Sequence, residues 1–385
     1  MSQTLLLTGA TGFLGSAFYL NAYQLGHAAE CLLLVRGDSE AACRQRLAHS
    51  LAYALSPERA AAAANACAIV RGDLHSLDTH PDPRLDRIVR VAHFAADTSF
   101  TAQRAVWSTN VNGTLVLARR ARRMPRLQRF LHVGTAFCCG EAPRSVLVRE
   151  APPPDKHAPH IVEYTRTKAA AEAALAAEFP ELPIVVARPS IVVGHSRLGC
   201  AASSSIFWFF RMIDRTGLLP CSLDGAIDVV TSDWAAQRLH ELVCAPSLCH
   251  ALYHVSAGPS GATRWRDMAA AFERAGHVGT RPYMTFDPSA PGGWQAFRSA
   301  FAREFPQRDR LRRAMALATR TYHRFVAQAV VFDDARLRAE GLTPARPFAE
   351  NVAACLERPG GSIEAQFLDD AGAFGLAQKF QAETE

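Results

Sequence analysis

The chain has 385 residues, of which 49% are hydrophobic and 20% are charged. This composition can bury a sizeable core, and it argues against a peptide hormone, a disulfide-stapled mini-domain and a disordered chain. The formal charge of +6 comes from basic residues spread along the whole length, which suits a protein that handles phosphorylated small molecules and does not indicate nucleic-acid binding.

Cysteine usage and apolar runs predict a cytoplasmic protein. The ten cysteines form no CxxC pair, and at the one mixed cluster, His240, Cys244, Cys249 and His250, we expect packing rather than a metal site. The first strand-like run starts at Thr4, so we expect no secretory signal. No apolar run reaches the ~18 residues that a bilayer span requires, and we expect no transmembrane segment.

Short apolar runs alternate with helical stretches in the first half of the chain, which is the pattern of a parallel sheet with crossover helices. Several runs are almost entirely apolar, as strands covered on both faces are. The predicted strands are Thr4–Thr8, Glu30–Arg36, Cys67–Arg71, Ile88–Phe94, Phe130–Val133 and Ile184–Ala187. The predicted helices are Phe13–Leu25, Glu40–Ala54, Gln103–Met124 and Ile161–Ala177. Phe137–Pro159 is predicted to be a long loop.

The pattern changes after about Ser196. We predict an aromatic-rich helix at Ser203–Thr216, another helix at Asp233–Val243, a short strand at Leu252–Val255 and mainly helix over residues 264–355. The chain then divides into a sheet domain over residues 1–200 and a mainly helical substrate-binding cap over 201–357, with some return to the sheet near 226–256. Residues 358–385 are predicted to be a peripheral helix or tail.

Three glycines follow the first predicted strand and lead into a helix, in the run Leu5-Leu-Leu-Thr-Gly-Ala-Thr-Gly-Phe-Leu-Gly15. Glycine lets the chain turn sharply and brings backbone amides close to a pyrophosphate at the helix N-terminus. In this strand–turn–helix context, the run predicts a Rossmann-type doubly wound parallel sheet that binds a dinucleotide. The predicted cofactor-binding residues of the run are Thr8, Gly9, Thr11, Gly12, Phe13, Leu14 and Gly15.

The second predicted strand ends in Arg36, where NAD-selective proteins usually carry a carboxylate for the ribose hydroxyls. A guanidinium suits a 2′-phosphate instead, and Arg46 on the following helix is placed to reach the same phosphate. Asp38 lies nearby and fits a ribose diol. The pattern therefore favours NADPH and leaves NADH open.

Tyr164 and Lys168 lie four residues apart in a predicted helix, which places both on one face. A neighbouring ammonium favours the phenolate and brings the pKa of a phenol, ordinarily near 10, toward working pH. Lys168 is one of only three lysines in the chain. Thr135 follows the fifth predicted strand, at the sheet edge where ligands bind in open α/β folds. Its hydroxyl is placed to bind a substrate carbonyl beside Tyr164.

Taken together and in order, these motifs resemble the extended short-chain dehydrogenase/reductases. The further matching motifs are Val35-Arg-Gly37, Gly72-Asp-Leu74, His93-Phe-Ala-Ala96, Asn110-Val-Asn-Gly-Thr114 and Arg188-Pro-Ser190. The Leu33-Leu-Val-Arg-Gly37 turn and the His93–Phe100 run are most similar to the thioester-reductase and fatty acyl-CoA reductase branch. The resemblance covers about residues 1–260.

The resemblance implies a role for each matching residue. The three glycines would hold the pyrophosphate and Arg36 the adenosine phosphate. The remaining cofactor contacts would come from Asp73 and Leu74 at the adenine, Ala95 along the cofactor, and Pro189 and Ser190 at the nicotinamide amide.

The catalytic roles implied by the resemblance fall on three residues. Tyr164 would donate the proton. Lys168 would hold the nicotinamide ribose and lower the pKa of the tyrosine. Thr135, where the family more often has Ser, would bind the carbonyl oxygen.

We therefore expect an NADPH-dependent reductase that converts an acyl thioester to an aldehyde, with a second hydride giving the alcohol. The sequence contains no adenylation or carrier segment, so the acyl group is expected on coenzyme A or a separate acyl carrier protein. The basic run Arg119–Arg126 is a candidate for docking an acidic carrier, although a solvated helix face is the favoured interpretation.

Two alternatives stay open. The first is a ketone reductase, similar to a hydroxysteroid dehydrogenase, that acts on a hydrophobic cyclic or polyketide-derived substrate. The Phe/Trp-rich stretch Ile206–Phe210 fits an acyl chain or a flat ring. The second is a non-catalytic NADP-binding scaffold, since fold does not fix function.

Overall fold

A parallel sheet of seven strands lies at the centre of the computed structural model, which describes residues 4–100, 103–142, 146–200, 206–276, 282–287, 290–306, 310–358 and 361–370. In chain order the strands are β1 (Leu5–Thr8), β2 (Cys31–Val35), β3 (Ala68–Arg71), β4 (Arg90–His93), β5 (Arg129–Val133), β6 (Ile184–Pro189) and β7 (Leu252–Val255). Their spatial order is β7-β6-β5-β4-β1-β2-β3, and every neighbouring pair is parallel. The predicted Rossmann-type α/β fold is confirmed.

Both faces of the sheet are covered, which explains the continuous apolar runs in the sequence. Every residue of β1 and β2 is buried. Because side chains alternate along a strand, Leu5 and Leu7 pack into one hydrophobic cluster and Leu6 packs into another on the opposite face. Such two-sided burial is typical of parallel sheets with crossover helices.

The helices of the first half surround this sheet. They are α1 (Phe13–Gln24), α2 (Glu40–Leu51), α3 (Pro57–Asn65), α4 (Gln103–Trp107), α5 (Thr114–Arg122) and α6 (Glu163–Glu178). Helix α3 is absent from the sequence prediction, although Ser56 caps its first turn by accepting from the Arg59 amide at 3.4 Å. The helix predicted over Gln103–Met124 is interrupted between α4 and α5 by a π-helical segment, Ser108–Gly113.

The second half is mainly helical. Its helices are α7 (Phe207–Thr216), α8 (Ser232–Cys244), α9 (Gly258–Gly261), α10 (Trp265–Arg274), α11 (Gly293–Glu304), α12 (Arg310–Ala327), α13 (Ala335–Ala339), α14 (Val352–Glu357) and α15 (Ile363–Asp370). Residues 203–205 of the helix predicted at Ser203–Thr216 lie outside the described residues. Within the described ranges, no helix is long and apolar enough to cross a membrane.

Four pairs of two-residue strands connect the two halves or brace the second one. The pairs are Leu147–Val148 with Val331–Phe332, Ile191–Val192 with Val229–Val230, Leu218–Leu219 with Met284–Thr285, and Ala226–Ile227 with Thr263–Arg264. The first of these pairs places a short strand inside the loop predicted at Phe137–Pro159. It ties that loop to the segment that follows α12.

Helix α15 is part of the packed interior. Ile363 and Phe367 are buried in the aromatic cluster that also contains Trp208, Trp265 and Phe272. The segment predicted to be peripheral therefore contributes to the core as far as Asp370, and its residues 371–385 lie outside the described residues.

Candidate active site

The turn from β1 into α1 contains two glycines, Gly9 and Gly15, that leave no space for a side chain. Gly9 has φ +74°, and a Cβ there would lie 2.5 Å from the amide nitrogen of Ala95. A Cβ on Gly15 would lie 2.1 Å from the carbonyl oxygen of Gly9, whereas one on Gly12 would meet nothing closer than 3.4 Å. The first turn of α1 has no acidic residue and no side-chain cap. Its amides are therefore available to an anion at the helix N-terminus.

Two cavities meet over this turn. The first has a volume of about 540 Å³ and the second about 450 Å³. Both are lined by Gly9, Gly12, Phe94, Ala96 and Thr98. The combined space runs across the carboxyl edge of the sheet, where the strand order reverses between β1 and β4, as expected for a dinucleotide site.

The predicted site residues divide between the two cavities. The first is also lined by Phe13, Leu14, Gly15, Thr135, Tyr164, Lys168, Pro189 and Ser190. The second is also lined by Thr11, Arg36, Arg46, Asp73, Leu74 and Ala95. Every predicted site residue except Thr8 therefore lies at one cavity or the other.

Thr8 has a structural position instead. It is fully buried, its hydroxyl is bonded to Nδ1 of His93 at 2.7 Å, and it accepts from the amide of Ala95 at 3.3 Å. Nε2 of His93 is bonded in turn to the hydroxyl of Thr114 at 2.8 Å. Burial, with a smaller effect of Lys168, lowers the pKa of His93 to about 3. The neutral imidazole thus joins β1, β4 and α5 behind the cavities.

The second cavity presents two cationic groups. Arg36 and Arg46 are exposed, and within the described residues neither guanidinium has a hydrogen-bond or ion-pair partner. Asp73 accepts from the amide of Ser76 at 3.0 Å. Asp38, which the sequence offered as a ribose partner, does not line either cavity. This end of the site therefore presents two guanidinium groups to an anion.

Tyr164, Lys168 and Thr135 lie together at the first cavity. Burial lowers the pKa of Lys168 to about 8, while Glu172 and then Cys138 act in the opposite direction. Burial, followed by Cys138, raises the pKa of Tyr164 to about 12. The expectation that Lys168 lowers the phenol pKa is therefore wrong for this structure, and the phenol is protonated at neutral pH. In the part of the chain that the structure describes, neither the phenol nor the ammonium has a hydrogen-bond partner.

The local sequence fixes α6 and the π-helical segment against each other. Helix α6 is rich in Ala and Glu, which favour helix strongly. Asn110 of the π-helical segment is fully buried and its amide donates to the hydroxyl of Thr167 at 3.0 Å. It also donates to the carbonyl of Asp97 at 2.9 Å and accepts from the Asp97 amide at 2.7 Å. Sequence reasoning assigned Asn110 no role, although π-helical segments often mark functional sites.

Two cysteines lie close to Thr135, Tyr164 and Lys168. Cys138 and Cys139 belong to the turn that Thr135 begins, where the Thr135 hydroxyl accepts from the Phe137 amide at 3.4 Å. Burial raises the pKa of the Cys139 thiol to about 11 and raises that of Cys138 as well. Both therefore remain protonated thiols, which are poor nucleophiles.

The far end of the first cavity has an aromatic wall made by Phe100, Phe137, Tyr322 and Phe325. The ring centroids of Phe137 and Phe325 are 5.1 Å apart, and those of Phe100 and Tyr322 are 5.9 Å apart. The hydroxyl of Tyr322 donates to Asp370 at 2.6 Å. The two rings from α12 were not predicted, because no local motif marks them.

Four of the five arginines in the basic run Arg119–Arg126 are paired within the chain. Arg119 and Arg123 contact Asp78 at 3.7 and 2.6 Å, Arg120 contacts Asp86 at 2.7 Å, and Arg122 contacts Glu181 at 2.6 Å. Arg120 is only 7% exposed. The favoured interpretation of a solvated helix face is therefore wrong for Arg120, whereas Arg119, Arg122 and Arg123 remain about half exposed to solvent.

The mixed His/Cys cluster shows one close contact. Sγ of Cys244 lies 3.7 Å from Nε2 of His240. Within the described ranges, no group of three or more His, Cys, Asp or Glu side chains has the arrangement of a metal site.

Comparison with known proteins matches residues 7–239 to an NAD-binding family described as male sterility protein. A linear gramicidin synthase of Brevibacillus parabrevis is 29% identical over 284 residues, which are 71% of this chain and 5% of that protein. Fatty acyl-CoA reductase 2 of Mus musculus is 27% identical over 223 residues, which are 50% of this chain and 43% of that protein. The chain thus spans less than half the length of either relative.

Among solved structures, the terminal R domain from the myxalamid PKS-NRPS biosynthetic pathway is similar, with a TM-score of 0.73 at 22% identity. The match covers 92% of this chain and 90% of that one. At this identity, the likeness establishes the fold.

Proposed function

The chain belongs to the NAD-binding family described as male sterility protein, and from that premise we propose that it reduces an acyl thioester to an aldehyde with NADPH. The predicted membership of the extended short-chain dehydrogenase/reductases, in their thioester-reductase and fatty acyl-CoA reductase branch, is confirmed. The prediction of an NAD(P)-dependent oxidoreductase is also confirmed. The substrate, the preference for NADPH and the roles of individual residues belong to the proposal.

One observation carries the proposal: Thr135, Tyr164 and Lys168 line the cavity that meets the glycine turn. When bound, NADPH would supply the hydride for the thioester carbonyl carbon. Tyr164 and Thr135 donate hydrogen bonds to the oxygen as negative charge develops on it, and the phenol proton passes to that oxygen. The resulting hemithioacetal breaks its carbon–sulfur bond, which releases an aldehyde and a free thiol.

The preference for NADPH is supported by the second cavity. Arg36 and Arg46 offer two guanidinium groups on one side of it, and guanidinium forks suit phosphate oxygens better than ribose hydroxyls. The glycine turn leaves room for a ligand at Gly12. These residues would hold the adenosine phosphate and the pyrophosphate of the cofactor.

The acyl group would lie against the aromatic wall, with its thiol carried by coenzyme A or by an acyl carrier protein. The name of the mouse relative, fatty acyl-CoA reductase 2, supports an acyl thioester. The aldehyde would stay within reach of the same groups, so a second NADPH would give the alcohol. A cytoplasmic setting belongs to this proposal, since all ten cysteines are free thiols.

The test is NADPH-dependent release of thiol from an acyl-CoA. Tyr164→Phe removes the proton donor and should abolish both NADPH oxidation and thiol release. The matched control is Tyr23→Phe, which removes a hydroxyl outside both cavities. This variant should keep the wild-type rate. Full activity in Tyr164→Phe rejects the assignment.

The aromatic wall also favours a second candidate, a ketone reductase on a hydrophobic ring. Flat rings pack well against Phe and Tyr side chains, and the same hydroxyls would bind a ketone oxygen. Ketone reduction consumes NADPH without producing a thiol. Thiol detection in parallel reactions with acyl-CoAs and cyclic ketones therefore separates the two candidates.

A further inference from the structure

Three ionisable side chains are buried together at and beneath the first cavity. Lys168 is 2% exposed, Glu172 4% and Arg188 2%. Glu172 follows Lys168 by one helical turn, so both lie on one face of α6, and Arg188 comes from β6. Lys168 lines the cavity, whereas Glu172 and Arg188 do not. The chain thus holds an ion pair under its active site that the proposed reaction does not use directly.

Arg188 fixes the carboxylate of Glu172. Its Nε donates to Oε2 at 2.9 Å and to Oε1 at 3.2 Å, and its Nη2 donates to Oε2 at 2.6 Å. Its Nη1 donates to the carbonyl of Ala151 at 2.7 Å. On the other side, a Cβ on Gly134 would lie 2.3 Å from Oε1 of Glu172. The carboxylate is therefore held between two strand ends, one of which leads into Thr135.

Glu172 is a buried carboxylate one helical turn from Lys168, and its charge raises the pKa of the Lys168 ammonium. Burial raises the pKa of Glu172, and the Arg188 guanidinium, followed by Lys168, opposes that effect. The three hydrogen bonds from Arg188 favour the charged carboxylate. From the other packed elements, the groups near Lys168 are Cys138 after β5, His93 on β4 and His132 on β5. Burial keeps all three neutral: it raises the pKa of the thiol and lowers that of both imidazoles.

We propose that Glu172 is a positioning residue: its carboxylate, fixed by Arg188 one helical turn from Lys168, keeps the Lys168 ammonium charged where it lines the cavity. An isolated ammonium at this depth would tend to lose its proton. The effect on turnover rests on the proposed reductase function. The effect on the protonation of Lys168 does not depend on that function.

The small number of lysines makes the test direct. Protein labelled with ¹³C at lysine Cε gives one NMR signal for each of Lys156, Lys168 and Lys379, and Lys168→Arg assigns the relevant one. Because an opposite charge nearby shifts a pKa by roughly one to three units, Glu172→Gln should move the Lys168 titration down by about one unit or more. Glu178→Gln, an exposed carboxylate on the same helix, should leave it unchanged. An unchanged Lys168 titration in Glu172→Gln overturns the proposal.

A double variant separates this role from a purely structural one. Glu172→Gln leaves the buried Arg188 unpaired, which is destabilising, whereas Glu172→Gln with Arg188→Met removes both members of the pair. If Glu172 served only to neutralise Arg188, the double variant would restore the wild-type Lys168 titration, and the proposal would fail. We expect the pKa of Lys168 to stay as low in the double variant as in Glu172→Gln. The melting temperature, which Glu172→Gln lowers, should recover in the double variant.

Kinetics and cofactor binding give the second readout. The reduction rate should fall as pH rises through the pKa of Lys168, so both Glu172 variants should lose activity at lower pH than wild type. The NADPH dissociation constant, measured by cofactor fluorescence, should rise over the same pH range. If the loss of reduction rate at high pH occurs at the same pH in these variants as in wild type, the proposal is contradicted. A wild-type protein that releases no thiol would reject the reductase function but would leave the Lys168 titration as an independent result.

Discussion

Thr135 offers a test of the oxyanion partner at the level of one hydroxyl. Thr135→Val keeps the branched shape and removes the hydroxyl, while Thr135→Ser keeps the hydroxyl and removes the methyl. Because loss of one oxyanion donor costs roughly 10²–10³ in kcat, we expect a loss of that size in Thr135→Val and near wild-type turnover in Thr135→Ser. Steady-state NADPH oxidation with an acyl-CoA measures both. Equal losses in the two variants would assign Thr135 to packing instead.

Arg36 tests cofactor choice at the same scale. Its guanidinium lines the second cavity, and a hydrogen bond to a charged group is worth about 1.5–3 kcal/mol. Arg36→Ala should therefore raise the KM for NADPH by about 10- to 100-fold and leave the KM for NADH unchanged. Arg59→Ala, an exposed residue of α3, is the control. A proportional rise in both KM values would contradict a contact with the 2′-phosphate.

At the scale of elements, two glycines where β1 leads into α1 allow the requirements of folding and of cofactor binding to be tested separately. Gly15→Ala places a Cβ 2.1 Å from a backbone oxygen, and such overpacking costs about 1–3 kcal/mol. Gly12→Ala meets nothing closer than 3.4 Å. We therefore expect Gly15→Ala to lower the melting temperature, and Gly12→Ala to keep it while weakening NADPH binding. Unaltered NADPH affinity in Gly12→Ala would mean that the cofactor does not approach this turn.

The elements also show how far the sequence could be used for prediction. The strands were predictable because burial on both faces leaves long apolar runs, and Tyr164 with Lys168 because helical spacing places them on one face. Helix α3 was not predictable from the sequence, since its alanine run has no clear apolar stripe. The π-helical segment has no distinct local composition. The contact of Asn110 with Asp97 and Thr167 joins three elements, so only the folded chain displays it.

Long-range pairing explains the remaining differences at the site. Four arginines of Arg119–Arg126 have acidic partners on segments far away in sequence, so the sequence could not show whether their charge is free or paired. Glu172 could be read as one turn from Lys168, but its partner Arg188 comes from a strand. Burial, which raises the pKa of Tyr164, is likewise a property of the folded molecule.

At the scale of the whole molecule, α15 joins the second half of the chain to the cavity. Asp370 accepts from Nε1 of Trp208 at 2.8 Å and from the hydroxyl of Tyr322 at 2.6 Å, and Tyr322 forms part of the aromatic wall. Both rings come from helices that the sequence predicted, but their meeting at Asp370 required the structure. The last described helix therefore supports the aromatic wall of the first cavity.

The stability of this arrangement can be measured on α15 itself. Phe367 is fully buried, whereas its neighbour Leu368 is 41% exposed. Because Phe→Ala in a core costs about 3–5 kcal/mol, Phe367→Ala should lower the free energy of unfolding by that amount, and Leu368→Ala should change it little. Urea denaturation measures both. Similar small effects in the two variants would place α15 outside the folded core.

The central claim concerns the whole molecule: the sheet edge and the helical second half together bring an acyl thioester to NADPH at Tyr164. Its most direct measurement is the fate of deuterium from NADPH labelled on either face of nicotinamide C4, in a reaction with an acyl-CoA. The account predicts that one labelled face transfers deuterium to C1 of the product, once in an aldehyde and twice in an alcohol, with one thiol released per acyl group. NADPH oxidation that leaves C1 unlabelled, or that releases no thiol, would contradict the account.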